Sequence, residues 1–149
     1  MIIRIAAALL LAACATGAPE DAASTSSSSL AAPTPADIAT RISATSDGQN
    51  VTVKVGSKIA VELVGVPTAG YMWTPVEIPA FLAPAGEYGG PTSKAQLEPG
   101  FAGGNHWEAF AFDVSGAGEG VLRFEQRRPW EDDAEPAVSA FSVYIIAKE

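Results

Sequence analysis

Residues able to do covalent or proton-transfer chemistry are scarce in this chain of 149 residues, which has one cysteine, Cys14, and one histidine, His106. An enzyme needs a nucleophile within reach of a base, or a metal held by three or four ligands. Cys14 stands directly behind an apolar leader, and His106 lies in a glycine-rich stretch with no Asp/Glu pair at ligand spacing. The run Glu131-Asp132-Asp133 reads as solvated charge rather than a cation site. Catalysis is therefore not expected, nor is a cofactor or a metal. What the sequence offers is contact chemistry, in three stretches rich in Gly, Pro, Trp and Arg.

The first is Val66-Pro67-Thr68-Ala69-Gly70-Tyr71. Pro67 fixes φ and Gly70 accepts a positive φ, so this is a shaped turn with Thr68 and Ala69 at its tip. Tyr71 and Trp73 share one face and are expected to anchor the loop base in the core. The second runs from Pro99 to Trp107 and holds Gly100, Gly103 and Gly104. Glycines there let another backbone approach and leave amides free to pair with an extended edge. No Lys-Ser/Thr pair or helix start follows, so it is not a phosphate loop. The third is Arg127-Arg128-Pro129-Trp130 ahead of the acidic run. Exposed Trp and Arg are the types most enriched at binding hot spots. Taken singly, each stretch has a plain structural reading: a strand connection, a glycine-rich hairpin, and a Trp folded over the end of a domain.

Composition narrows the setting. With 9 basic and 17 acidic residues the chain carries a net charge of −8. That argues against nucleic acid, and against attraction to anionic headgroups. A single cysteine excludes an internal disulfide, so the domain must fold on its apolar core. Residues 1–13 carry Arg4 and then an apolar run too short to span a bilayer, the pattern of a secretory signal peptide. Leu11-Ala12-Ala13-Cys14 resembles the lipobox of bacterial lipoproteins, which implies lipidation of Cys14 and a mature chain starting there. In a Gram-negative envelope, Ala15 in place of the Asp that often marks inner-membrane lipoproteins would point to the outer membrane. Residues 14–36 then form a disordered Ser/Pro-rich tether, with a coil-like reach of ~25 Å.

From residue 37 to residue 149 the dominant period is two. Val51, Val53 and Val55 alternate with polar residues. So do Ile59, Val61 and Leu63, with Lys58, Ala60 and Glu62 on the other face. Phe110, Phe112 and Val114 share a face, as do Leu122 and Phe124, and Phe141, Val143 and Ile145. Glycines at 86, 89 and 90 read as breakers between strands. The expectation is one all-β domain, an immunoglobulin-like β-sandwich of about seven or eight antiparallel strands.

In their order, Val-Pro-Thr-Ala-Gly-Tyr at 66–71, the Gly-Gly loop at 100–107 and Arg-Pro-Trp at 128–130 resemble the chagasin family of cysteine protease inhibitors. That family's loops read Asn-Pro-Thr-Thr-Gly-Tyr, a Gly-X-Gly-Gly type motif and Arg-Pro-Trp. The likeness covers roughly residues 45–148. It implies a sandwich with the three loops at one end, acting as a monomer that blocks papain-like proteases reversibly. The implied contacts are Pro67, Thr68, Ala69 and Gly70, then Gly103 and Gly104, then Arg128, Pro129 and Trp130, with Tyr71 anchoring the first loop. Thr68 would sit against the protease's catalytic centre. Val66 and Ala69 replace a family Asn and Thr, which removes polar contacts and points to altered potency or target. The rival reading is a non-inhibitory envelope lipoprotein that binds another surface protein through the same loops.

Overall fold

The computed structural model describes residues 28–131 and 134–149. The leader, Cys14, the tether as far as residue 27 and the pair Asp132-Asp133 lie outside them. Eight strands follow in order: β1 (Thr40–Ser43), β2 (Asn50–Lys54), β3 (Lys58–Gly65), β4 (Met72–Glu77), β5 (Leu82–Pro91), β6 (His106–Val114), β7 (Gly118–Arg127) and β8 (Ser139–Lys148). They form two sheets of four, ordered β1-β3-β6-β5 and β2-β8-β7-β4.

The alternating apolar residues explain the packing. Ile59, Val61 and Leu63 of β3 and Phe110, Phe112 and Val114 of β6 face Leu122 and Phe124 of β7 and Phe141, Val143 and Ile145 of β8. Phe124 lies at the centre, its ring centroid 4.9 Å from Phe110, 6.4 Å from Phe112 and 6.3 Å from Phe141. The tilted and edge-on ring geometry suits aromatic quadrupoles and adds to the burial itself. The expected all-β immunoglobulin-like sandwich is the fold observed.

The sheets are mixed rather than wholly antiparallel. β1 pairs parallel to β3, and β2 parallel to β8. Consecutive strands β1, β2 and β3 alternate between the sheets, so none pairs with its neighbour in sequence as a hairpin would. A second difference is β5, ten residues long across the glycines that read as breakers. As an edge strand it tolerates Pro84 and a register shift between Pro84 and Gly86. A third is Ala60, which faces away from the main core yet is buried with Ala111 beneath Ile38 and Tyr88.

A fourth difference concerns residues 28–36, the described part of the expected tether. Residues 28–36 cross the outer face of the first sheet and are held there by hydrogen bonds. The Leu30 amide donates to Thr92 O (2.8 Å), and the Lys94 amide donates to Ser28 O (3.1 Å). The Trp107 indole N–H donates to Leu30 O (2.9 Å). Composition argued for disorder because the stretch has little apolar area to bury. Its backbone groups are satisfied instead by a sheet edge and an indole, which composition does not register.

Candidate functional site

The three stretches meet at one end because of strand direction. Gly65, the last residue of β3, pairs with His106, the first of β6. Met72, the first of β4, pairs with Arg127, the last of β7. The segment 66–71 carries the chain from one sheet to the other, so it rises over the gap between them. The glycine loop precedes β6 on one side, and the Arg-Pro-Trp stretch follows β7 on the other.

The first loop is closed by two bonds between Val66 and Tyr71, with the Val66 amide to Tyr71 O at 3.1 Å and the Tyr71 amide to Val66 O at 3.2 Å. Between them Pro67–Ala69 form a 3₁₀ turn, capped by Gly70 at φ +81°. The amides of Ala69 and Gly70 donate inside the turn, each at 2.9 Å, to Val66 O and Pro67 O. Pro67, Thr68 and Ala69 are exposed and Gly70 is buried. The result is a stiff tip in which the amides of Val66, Ala69, Gly70 and Tyr71 are already used.

Beneath it lies a carboxylate from outside the three loop motifs, Glu108. Glu108 Oε2 accepts the Trp73 amide at 2.7 Å. A β-carbon at Gly65 would fall 1.7 Å from Glu108 Oε1, so only glycine leaves room for this side chain where it stands. Oε1 is buried without a hydrogen bond, as is Nδ1 of His106 two residues earlier. Burial pushes the Glu108 carboxyl above the ordinary carboxylate range, with the Trp73 amide opposing it and His106 opposing it less. A sequence signal existed: 108 has the same strand parity as Phe110, Phe112 and Val114, so a charged side chain occupies an inward position.

Trp73 packs on the main core and its indole N–H donates to Val64 O at 3.0 Å. Tyr71 does not share that role. Its half-buried ring lies under the Arg128 guanidinium, whose carbon is 4.3 Å from the ring centroid. Tyr71 thus anchors the loop through Arg128 and its backbone bridge rather than through the core.

The same arginine joins the first and third loops. Its Nε donates to Ala69 O at 3.1 Å and its Nη1 pairs with Glu131 at 3.1 Å. Pro129 is exposed, and Trp130 is 71% exposed. The indole lies against Gly70: a β-carbon there would meet Trp130 Cη2 at 2.1 Å. Tip, arginine and indole form one body with a large apolar surface turned outward.

The glycine loop is set by a different device. A capping box of Ser93 and Gln96 starts the 3₁₀ turn Lys94–Leu97. Gln96 Oε1 accepts the amides of Thr92 (2.7 Å) and Ser93 (3.0 Å), and its Nε2 donates to Asn105 O at 2.7 Å. Gly103 and Gly104 have φ of +80° and +95°, a region that favours glycine. A β-carbon at Gly104 would lie 2.8 Å from Gln96 Nε2, whereas one at Gly103 would meet nothing within 4 Å. Leu97 and Phe101, 64% and 48% exposed, flank the loop with apolar surface that glycine spacing alone did not reveal.

Every expected contact residue from Pro67 to Trp130 therefore lies at this end, in two groups: the tip with Arg128, Pro129 and Trp130, and the loop with Gly103 and Gly104. Cys14 lies outside the described residues. In backbone shape the chain is similar to the cysteine protease inhibitor EhICP2 from Entamoeba histolytica, with a TM-score of 0.61 and 17% identity over 72% of this chain and 94% of that one. It is also similar to amebosin, with a TM-score of 0.54 and 19% identity over 73% of this chain and 97% of that one. At these identities the likeness concerns the fold. No curated protein sequence matches the chain. The sequence pattern of the chagasin family peptidase inhibitor I42 matches residues 52–145, which takes in all three loops and well over half the chain. The chain belongs to the chagasin family of peptidase inhibitors.

Proposed function

We propose that this protein inhibits papain-like cysteine proteases reversibly and without covalent chemistry, by seating its loop end in the active-site cleft. The observation that carries the reading is the coupling of Trp130, Arg128 and the Pro67–Gly70 turn into one exposed, preformed edge. Binding such an edge orders few side chains or loops, which favours tight association. Family membership and the likeness to a cysteine protease inhibitor supply the class of partner.

In this mechanism Thr68 enters the cleft opposite the catalytic Cys–His pair and excludes water from it. A protease groove reads extended peptide backbone. The Pro67–Ala69 turn is 3₁₀ and internally hydrogen-bonded, so it offers the groove no extended peptide bond to cleave. Gly103 and Gly104 lie along one wall with free approach to backbone, flanked by Phe101 and Leu97. Trp130 packs on the opposite wall, held by Gly70 and Pro129. Arg128 is already engaged by Ala69, Tyr71 and Glu131, and its part is to hold the first and third loops together.

The leader supports export and the Leu-Ala-Ala-Cys motif supports lipid attachment at Cys14, so the place of action is the bacterial cell envelope. The test of function is titration of papain with residues 15–149, a span containing every described residue. Progressive inhibition that is reversed by dilution, with the inhibitor recovered intact, is expected. Unchanged activity at micromolar inhibitor, or cleavage within residues 66–71, rejects the mechanism for this target.

A further inference from the structure

We propose that residues 28–36 are a working part of the binding end: they brace the glycine loop from the outer face of the first sheet. This strap begins at the loop end and crosses the first sheet from β5 to β1. Ser29 bridges Ser93, while the Leu30 amide and Ser28 carbonyl bond to Thr92 and Lys94 on either side. The Leu30 carbonyl caps the Trp107 indole. Farther along, Pro33 fills the seat that Gly90 leaves empty, its Cγ 3.2 Å from where a β-carbon would stand. Thr34 then donates to Glu62, and Arg41 ties Glu62, Thr34 and Pro35 O together.

The strap's partners are the residues that shape the glycine loop. Thr92, Ser93 and Lys94 lead into the 3₁₀ turn, and the Thr92 and Ser93 amides are the donors that fix Gln96. Gln96 in turn holds Asn105 O, and the Thr92 hydroxyl donates to the same oxygen at 3.3 Å. Trp107 is the second residue of β6, just past the loop. Both ends of the glycine loop, at 92–96 and at 105–107, thus rest on residues the strap contacts. Three glycines give the loop high conformational freedom, and outside bracing limits the entropy lost on binding.

The inference deepens the inhibitor reading but is tested separately from it. In residues 15–149, Leu30→Pro removes the amide that donates to Thr92, while Leu30→Ala keeps it. Backbone order parameters of Gly103 and Gly104 in the free protein are expected to drop toward flexible values, below ~0.6, in Leu30→Pro and to stay unchanged in Leu30→Ala. Papain inhibition should weaken roughly tenfold in the proline variant alone, about the effect of one or two lost hydrogen bonds. Unchanged order parameters in Leu30→Pro overturn the brace, whatever papain does. If papain is not inhibited by the unmodified protein, the inhibitor reading falls while the order parameters still decide the brace.

Discussion

The indole of Trp130 rests on Gly70, its Cη2 only 2.1 Å from the point where a β-carbon at position 70 would stand. This makes Gly70 serve twice, as the left-handed cap of the tip at φ +81° and as the floor beneath the exposed Trp. Motif residues some sixty positions apart in sequence are thereby one surface in space.

Gly70→Ala follows directly. A non-glycine residue at this φ costs roughly 1–2 kcal/mol, and the added carbon must also displace the indole. Weaker papain inhibition and a lower Tm are expected together, with Trp130 fluorescence shifting as its floor is lost. Wild-type fluorescence and inhibition in the alanine variant would show that the contact does not position the Trp.

Arg128→Lys tests the joint between the first and third loops. Lysine keeps the charge but lacks the planar fork that stacks on Tyr71 and reaches Ala69 O. An exposed cation–π contact is worth about 0.5–1 kcal/mol, so the fold should survive with only a small change in Tm. Inhibition should fall several-fold. Combining it with Tyr71→Ala should cost less than the two effects added, because both act on one contact. Strict additivity would mean that the guanidinium and the ring work independently.

The sandwich was legible because β3, β6, β7 and β8 each bury their large apolar side chains on one face and print a period of two. Only alanines are buried on the other face of β3 and β6. β5 was not, since an edge strand needs few buried side chains and admits Pro84 and Gly89. Strand direction at β1 and β2 was not legible either: apolar alternation says which face is inward, not which neighbour pairs. The loop motifs name residues that the fold gathers at one end of the sandwich, Thr68, Gly103, Gly104 and Trp130 among them. The coupling between loops was hidden because Gly70 and Arg128 act on residues far away in sequence. Glu108 was readable in principle, as a charge at an inward position of β6.

That carboxylate gives a pH dependence. Its pKa is raised in the folded protein by burial, with Glu87 adding repulsion and the Trp73 amide and His106 opposing. The stability it confers is fully present below the unfolded value of 4.5 and is lost as pH rises through the higher folded value. Glu108→Gln cannot ionise, yet its amide oxygen can still accept from Trp73. Between pH 4.5 and neutrality the Tm of the wild type should therefore fall relative to that of the Gln variant, and inhibition by the Gln variant should persist. Parallel Tm–pH curves for the two proteins would remove Glu108 as the titrating support of the first loop.

The glycine loop yields a ranked pair. Gly103→Ala and Gly104→Ala both place a side chain at positive φ, at roughly 1 kcal/mol or more each. Only at 104 does the new carbon also crowd Gln96, 2.8 Å away, and so the link to Asn105. In the free protein Gly104→Ala should therefore disturb the amide shifts of Thr92 and Ser93, and Gly103→Ala should not. Equal disturbance by both would mean that Gln96 does not set the loop.

The route of the strap predicts an effect of attachment point. Residue 28 stands at the loop end, whereas β8 runs away from it, so Lys148 and the C-terminus stand at the opposite end. The 14 residues from Cys14 to Ser28 span at most about 50 Å fully extended. A protease domain of about 200 residues is itself roughly 40 Å across, so a surface holding Cys14 competes for the space the protease must enter. Residues 14–149 coupled to beads through Cys14 should capture papain more slowly than the same chain coupled through its C-terminus. Lengthening the chain ahead of Ser28 should restore the rate, since added length relieves the crowding without touching the loops. Equal rates from both attachment points would mean that the loops are free of the anchor, and that a lipid at Cys14 leaves access to the site unchanged.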